Sequence, residues 1–293
     1  TGASGFLGNN VKPLLEKNYI ITTVGLTDSD DYGVNIAKEV PSFTDSFDIV
    51  LHAAGKAHVV PKTEEEKQAF FDVNYQGTVN LCSALERLEL PKALIFISTV
   101  AVYGLDFGSD ITEDYPLNGD TPYAKSKIMA EEFLTEWCSE HDVKLGIIRP
   151  SLIAGPNPPG NLGSMIKGIK TGAYLSINKG RAKKSVLMVQ DIARLIPLLA
   201  KKGGTYNVCD SYNPSFGELE EVISKQLDKK RPVSVPYWVA KCFALVGDCL
   251  GSKAPINSLK LDKIVKPLTF SNEKAKKELE WKPLEVLSNF NIR

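Results

Sequence analysis

Three glycines at the start of the chain, Gly2, Gly5 and Gly8 in TGASGFLG, constrain its fold more than any other feature. The spacing asks for a tight turn, then bare backbone, then a helix packed closely on a sheet. The first turn of such a helix carries unpaired N–H groups and partial positive charge, so the motif suits a diphosphate. A turn of this kind follows a buried strand of about five or six residues. That strand is expected ahead of Thr1, and a chain truly starting at Thr1 is expected to fold poorly. Pro13 falls inside the helix after the turn and is expected to kink it.

Downstream, short apolar runs alternate with helical patterns, which reads as βαβ units on a parallel sheet. Strands are expected at 19–24, 47–52, 93–98, 144–149 and 205–209. The runs at 47–52 and 93–98 (ALIFIS) are almost continuously apolar, as strands buried on both faces are. Helices are expected at 64–86 and 122–140, the second opened by Thr121-Pro122, an N-cap followed by proline at the first helical position. Past Pro150 the loop AGPNPPGNLG and a mixture of short helices and turns mark a change of texture. The expected fold class is α/β, with a dinucleotide-binding domain at 1–150 to which 184–210 returns. A smaller substrate lobe is expected at 151–183 and 211–293.

Composition narrows the function. Lys+Arg and Asp+Glu balance at 35 each among 293 residues, so no global field draws the chain to nucleic acid or an acidic membrane face. Any anionic ligand must be held by a local site. The five cysteines form no CxxC pair and read as free thiols of a reducing cytoplasm. Together with the three histidines they show no zinc-ligand spacing, so no metal is expected. No apolar run is long enough for a membrane span and no signal peptide is visible.

Further along the chain lie three more elements of a redox site. His52-Ala53-Ala54-Gly55 ends a buried strand in small residues, which let an adenosine lie against backbone. Ser98 and Thr99 follow ALIFI at a strand's carboxyl end, where α/β proteins bind ligands. Tyr123 and Lys127, in YAKSK, stand one helical turn apart on one face. The Lys127 ammonium is expected to lower the Tyr123 phenol pKa, so that Tyr123 can serve as general base or general acid. Each signal alone is common; their order along the chain is the one a single site requires. At the end of the second strand, where a carboxylate usually meets the ribose of NAD, stand Gly25, Leu26 and Thr27. Asp28 is too far along, which leaves NAD and NADP open.

With TGASGFLG, HAAG, Asn74 in VNYQGT, ISTVAVYG, YAKSK, IIRPSLIAGP and LEWKP in this order, the sequence resembles the NAD-dependent epimerase/dehydratase family, the extended short-chain dehydrogenases/reductases. The resemblance implies a Rossmann-like doubly wound parallel sheet and a cofactor, NAD or NADP, with NAD slightly ahead. It implies cofactor contacts at Gly2, Gly5, Phe6, Leu7, Gly8, Ala53, Ala54, Asn74, Ser98, Tyr123, Lys127, Pro150 and Ser151. Thr99, Tyr123 and Lys127 would be catalytic, and Thr99, Asn161 and Lys184 would meet a nucleotide-sugar substrate. Members that dehydrate carry an Asp-Glu pair after the catalytic threonine; Val100 and Ala101 stand there, which leaves 4-epimerisation or reduction of a 4-keto sugar. The basic stretch 179–184 suits a diphosphate. Lys184 and Ser185 depart from the Arg-Asp usual at that point, and lysine is a poorer bidentate phosphate ligand. Homodimers through helices near 64–86 and 128–140 are common in this class. The competing readings are a dehydrogenase or reductase of a non-sugar alcohol, and a catalytically silent dinucleotide-binding protein.

Overall fold

In the computed structural model, which describes residues 1–250 and 256–292, the chain begins with the glycine turn and α1 (Phe6–Leu15). Two short strands, β1 (Val24–Gly25) and β2 (Tyr32–Gly33), pair in parallel with each other. They are followed by β3 (Ile49–His52), α2 (Glu64–Phe71), a π-helical turn (Asp72–Gln76), α3 (Gly77–Leu85) and β4 (Ala93–Ile97). A 3₁₀ turn (Val100–Tyr103), β5 (Gly108–Ile111), α4 (Pro122–Glu140), β6 (Lys144–Pro150) and β7 (Leu152–Ala154) come next. The central sheet is parallel, in the order β10-β6-β4-β3, with β10 spanning Gly204–Val208.

Alternation along β4 explains why helices cover both faces of this sheet. Ala93, Ile95 and Ile97 face a core shared with Val11 of α1 and with Ile192, Leu195 and Leu199 of α6 (Val189–Lys202). Leu94 and Phe96 face the opposite core, with Leu81 and Leu85 of α3 and Ala130 and Leu134 of α4. Every residue of β4 is buried, and cutting Phe96 to alanine is expected to cost about 3–5 kcal/mol.

Beyond β6 the chain builds a third core. Strands β7 and β9 (Val186–Met188) pair with each other and not with the central sheet. Around them pack α5 (Gly160–Thr171), α7 (Phe216–Gln226) and α11 (Val286–Asn289), through Leu162, Met165, Leu219, Ile223 and Val286. Strand β8 (Leu175–Ile177) pairs with β11 (Val233–Val235). Next to them α8 (Tyr237–Leu250) packs on α9 (Ser258–Val265), burying Ala240, Ala244 and Leu261. Strand β12 (Leu268–Phe270) pairs with β5, and α10 (Glu273–Leu279) returns to the first core.

Two expectations change here. Of the strand expected at 19–24 only Val24 joins a ladder, because its neighbours have no strand to pair with among the described residues; Ile20 is fully exposed. The helix expected over 64–86 is broken into α2 and α3 by the π turn, which carries the buried Asn74. Such an extra residue per turn often marks a functional position. Helix α1 runs through Pro13 and stops two residues later at Leu15.

Candidate active site

Gly2 shows why the first turn tolerates no side chain. Its φ is +77°, and a Cβ there would sit 2.6 Å from the Ala54 nitrogen and 2.7 Å from the Ala53 carbonyl carbon. Gly8 is equally fixed, since a Cβ would lie 2.3 Å from the Ala3 oxygen. Gly5 differs. Its Cβ would meet no protein atom closer than the Gly2 oxygen at 3.4 Å, so packing does not demand glycine there. The bare backbone of Gly5 leaves room for a ligand against the start of α1, whose N-cap receives no side-chain bond. Phe6 and Leu7 turn their side chains into the first core and offer the ligand side only their amides.

The end of β3 lies beside this turn. The Thr1 nitrogen donates to the Leu51 oxygen at 2.8 Å, and the Ala54 N–H donates to Thr1 Oγ1 at 3.1 Å. His52 is buried, hydrogen-bonded to Thr1 and Thr78, and burial holds its pKa well below the ordinary histidine value. It is therefore a neutral structural residue. Asn74 locks the following loop: the Lys56 N–H donates to its Oδ1 at 2.7 Å, while its Nδ2 donates to the Lys56 oxygen and to Ser126 Oγ. A Cβ on Gly55 would stand 3.2 Å from both Asn74 Oδ1 and Lys127 Nζ, so the two polar tips converge there.

Tyr123 and Lys127 lie in the first turns of α4, whose N-cap Thr121 accepts from the Ala124 N–H. Lys127 Nζ donates to the Ile97 oxygen at 2.8 Å and stands 4.4 Å from the centre of the Phe96 ring. Its burial lowers the pKa to about 8. Burial raises the phenol pKa of the half-buried Tyr123, and the neighbouring Thr99 hydroxyl offsets this only in part. The lowering expected from Lys127 is thus absent from the protein alone, where the ammonium is turned to a backbone carbonyl. Thr99 is extended (φ −165°) and accepts from the Ala101 N–H, fixing its hydroxyl at the head of the 3₁₀ turn.

Ser98 points elsewhere. Successive side chains alternate across a strand, and its hydroxyl donates to Glu131 on the buried side of α4. Its side chain is therefore not available to a cofactor, contrary to expectation. Glu131 in turn holds Arg149 of β6, with Nη2 at 2.6 Å and Nε at 3.1 and 3.2 Å, and Arg149 Nη1 donates to the Tyr103 hydroxyl at 3.0 Å. This buried network ties the carboxyl ends of β4 and β6 together beneath Thr99. Pro150 and Ser151 follow directly on β6; Ser151 Oγ is buried with no hydrogen-bond partner, a group left for something the protein itself does not supply.

The expected substrate contacts fare differently. Asn161 lies exposed in the first turn of α5. Lys184 is buried, and its Nζ donates to the Lys263 and Lys266 oxygens at 2.9 and 3.0 Å, capping the last turn of α9. With its ammonium engaged there, Lys184 is a structural clamp and not a diphosphate ligand. Asp191 is likewise structural: buried, it accepts from the Leu284 N–H and from Arg194.

One residue of the site was missed. A Cβ on Gly25 would lie 2.5 Å from Asp30 Oδ2, so this carboxylate fills the position beside the end of β1. The turn 27–30 brings it back: the Thr27 N–H and Oγ1 both donate to Asp30, at 3.0 and 2.6 Å. The pattern Thr-x-x-Asp directly after the strand was the available signal.

Comparison with known proteins gives the family directly. Residues 1–209 match the NAD dependent epimerase/dehydratase family. The chain is 30% identical, over 93% of its length and 86% of the other protein's, to an N-acetyl-alpha-D-glucosaminyl-diphospho-ditrans,octacis-undecaprenol 4-epimerase of Escherichia coli O157:H7. It is 29% identical, over 98% and 90%, to a UDP-glucose 4-epimerase of Vibrio cholerae. Among solved structures, the UDP-glucose 4-epimerase of Thermotoga maritima with UDP-glucose superposes with a TM-score of 0.74 at 20% identity, covering 98% of this chain and 93% of the other. At such identity the likeness speaks for the fold, Rossmann-type and α/β.

Proposed function

The chain belongs to the NAD dependent epimerase/dehydratase family, and from that premise we propose that it moves a hydride to and from C4 of a diphosphate-linked sugar, as a 4-epimerase. One observation carries the reading. The Thr99 hydroxyl is the polar neighbour that acts on the Tyr123 phenol at the carboxyl end of β4, with the buried Lys127 one helical turn along α4. A sugar hydroxyl placed there meets one group that can orient it and one that can hold its proton.

The residues present fit a dinucleotide. Gly2, Gly5, Gly8 and the first amides of α1 would receive the pyrophosphate, Ala53, Ala54 and Asn74 would border it, and Ser151 Oγ offers an unpaired buried hydroxyl. Bound there, the nicotinamide supplies the hydride acceptor and donor. Tyr123 takes the proton of the C4 hydroxyl at its phenol oxygen and returns it, while Thr99 holds that hydroxyl in place. Lys127 keeps positive charge near the phenolate. Dehydration is disfavoured, because Val100 and Ala101 have no proton to exchange. Asp30 argues for NAD, since a carboxylate suits ribose hydroxyls and repels a 2′-phosphate.

The test is the nucleotide that the purified protein releases on denaturation, identified by mass spectrometry. An epimerase regenerates its cofactor in each cycle and can keep it, so near-stoichiometric NAD or NADH is expected. An empty protein that takes up NADPH would move the assignment to a 4-keto-sugar reductase.

A second carrier has one observation in its favour. The sugar can be linked to a polyprenol diphosphate in place of a nucleoside, as in the name of the Escherichia coli O157:H7 relative. The large apolar residues that α8 turns outward would suit the bilayer that holds such a substrate.

A further inference from the structure

A helix on a protein surface ordinarily buries its large apolar residues and exposes its small or polar ones. Helix α8 does the reverse. It packs on α9 and its neighbours through Ala240, Ala244 and Gly247, while Trp238 (70% exposed), Phe243 (64%), Leu245 (55%) and Val246 (65%) face outward. Trp238, Leu245 and Val246 recur at helical spacing and make one stripe, with Phe243 at its edge. Leu259 at the start of α9 is also exposed. An apolar surface of this kind on a folded domain marks an interaction site.

The charges near the stripe in the chain say what it meets. Lys229, Lys230 and Arg231 immediately precede β11 and α8, and all three are exposed. Lys229 and Lys230 enter no ion pair among the described residues; Arg231 is shared with Glu221 at 3.3 Å. Lys241 is exposed on α8 itself. The one acidic side chain of α8, Asp248, is occupied by Ser258, accepting from its N–H at 2.9 Å and its hydroxyl at 2.6 Å. Trp and Phe flanked by lysines compose an interfacial helix, whose apolar face enters the headgroup region while the cations meet anionic lipid.

We propose that the α8 face, with Lys229, Lys230 and Lys241, docks this protein peripherally on an anionic bilayer. The balanced net charge gives no overall attraction to an acidic membrane; exposed cations on α8 and just ahead of it in the chain supply one locally. Among the described residues no helix is long and apolar enough to cross a membrane, so the contact is with one leaflet. Docking needs no substrate and stands apart from the catalytic reading, while it would bring the enzyme to a lipid-linked sugar if that is the carrier.

The experiment is co-sedimentation of the full chain with extruded vesicles, either of phosphatidylcholine alone or containing phosphatidylglycerol. Tryptophan emission is read in parallel. Of the three tryptophans, Trp137 and Trp281 are buried, so a blue shift on vesicle addition reports Trp238. Binding to the anionic vesicles is expected to be stronger by roughly tenfold or more and to weaken with salt. The double variant W238S/F243S should lose it by about the same factor, and K229E/K230E should reduce it to the level seen with neutral lipid. Both variants should retain the parent's thermal unfolding and its sugar turnover in solution. No binding to anionic vesicles, or variants that bind as well as the parent, would overturn the proposal. So would a parent dimer that W238S/F243S converts to monomer in sedimentation velocity, which assigns the face to a second copy.

Discussion

Replacing Glu131 by glutamine removes one charge from the buried network and little else. The substituted amide is isosteric and can still accept from Ser98, but the Arg149 guanidinium, gripped at 2.6–3.2 Å with both side chains under one-tenth exposed, is left without its counter-ion. Uncompensated buried charges of this kind cost about 3–5 kcal/mol. At roughly 2–4 °C per kcal/mol for a chain of this size, the unfolding midpoint should fall by about 6–20 °C. Equilibrium denaturation in urea with calorimetry reads both quantities. The reasoning also fixes a second result, because the desolvation of two ions offsets most of their attraction. Glu131→Leu combined with Arg149→Met should therefore be far closer to the parent than Glu131→Gln alone. A Glu131→Gln loss below about 1 kcal/mol, or a double variant no better than the single one, would refute the view that this pair ties β4 to β6 as a buried ion pair.

Asp30→Ala should weaken NAD and strengthen NADP, shifting their ratio of affinities by about tenfold, as read by titration of the apoprotein; an unchanged ratio would remove Asp30 from the ribose site. Burial pushes the thiols of Cys138 and Cys209 up to about 12 from 9. Above pH 9 the unfolded chain therefore releases protons that the folded chain keeps, and this part of the stability, complete below pH 9, is lost as the pH rises toward 12. Cys138→Ala with Cys209→Ala should flatten that alkaline decline in urea midpoints measured from about pH 8 to 10. Lys127, held down to about 8, has the opposite sign: its penalty is full below pH 8 and relieved toward 10.5. The stability gained by Lys127→Met should accordingly shrink over that interval, and a gain constant with pH would contradict the burial of a charged Lys127.

Much of this arrangement is visible in the residues themselves. ALIFI reads as a strand buried on both faces because nothing polar interrupts it, and Tyr123 and Lys127 share a face because four residues make one helical turn. What stayed hidden depends on where a side chain turns after its backbone is placed. Ser98 and Thr99 look interchangeable in a line of letters, yet Ser98 donates to Glu131 while Thr99 caps the 3₁₀ turn that follows. Lys184 sits in a basic stretch that reads as a diphosphate site, but the carbonyls at the end of α9, some 80 residues later, claim its ammonium. Asp30 was passed over because a turn, not a strand, carries its carboxylate back to Gly25. The Glu131–Arg149 pair did leave a trace: an arginine inside the apolar run IIRP requires a buried partner, and Glu131 lies one helical turn beyond Lys127 on the same face.

The most direct test follows UDP-glucose and UDP-N-acetylglucosamine by proton NMR with the parent protein and with Tyr123→Phe, measuring bound nucleotide in both. The account predicts conversion to the 4-epimer by the parent. The variant should lose about 10²–10⁴-fold in rate at unchanged nucleotide content, because only the proton-carrying oxygen has been removed. A Tyr123→Phe protein that turns over within about tenfold of the parent would contradict the assignment of Tyr123 as the group that exchanges the C4 proton.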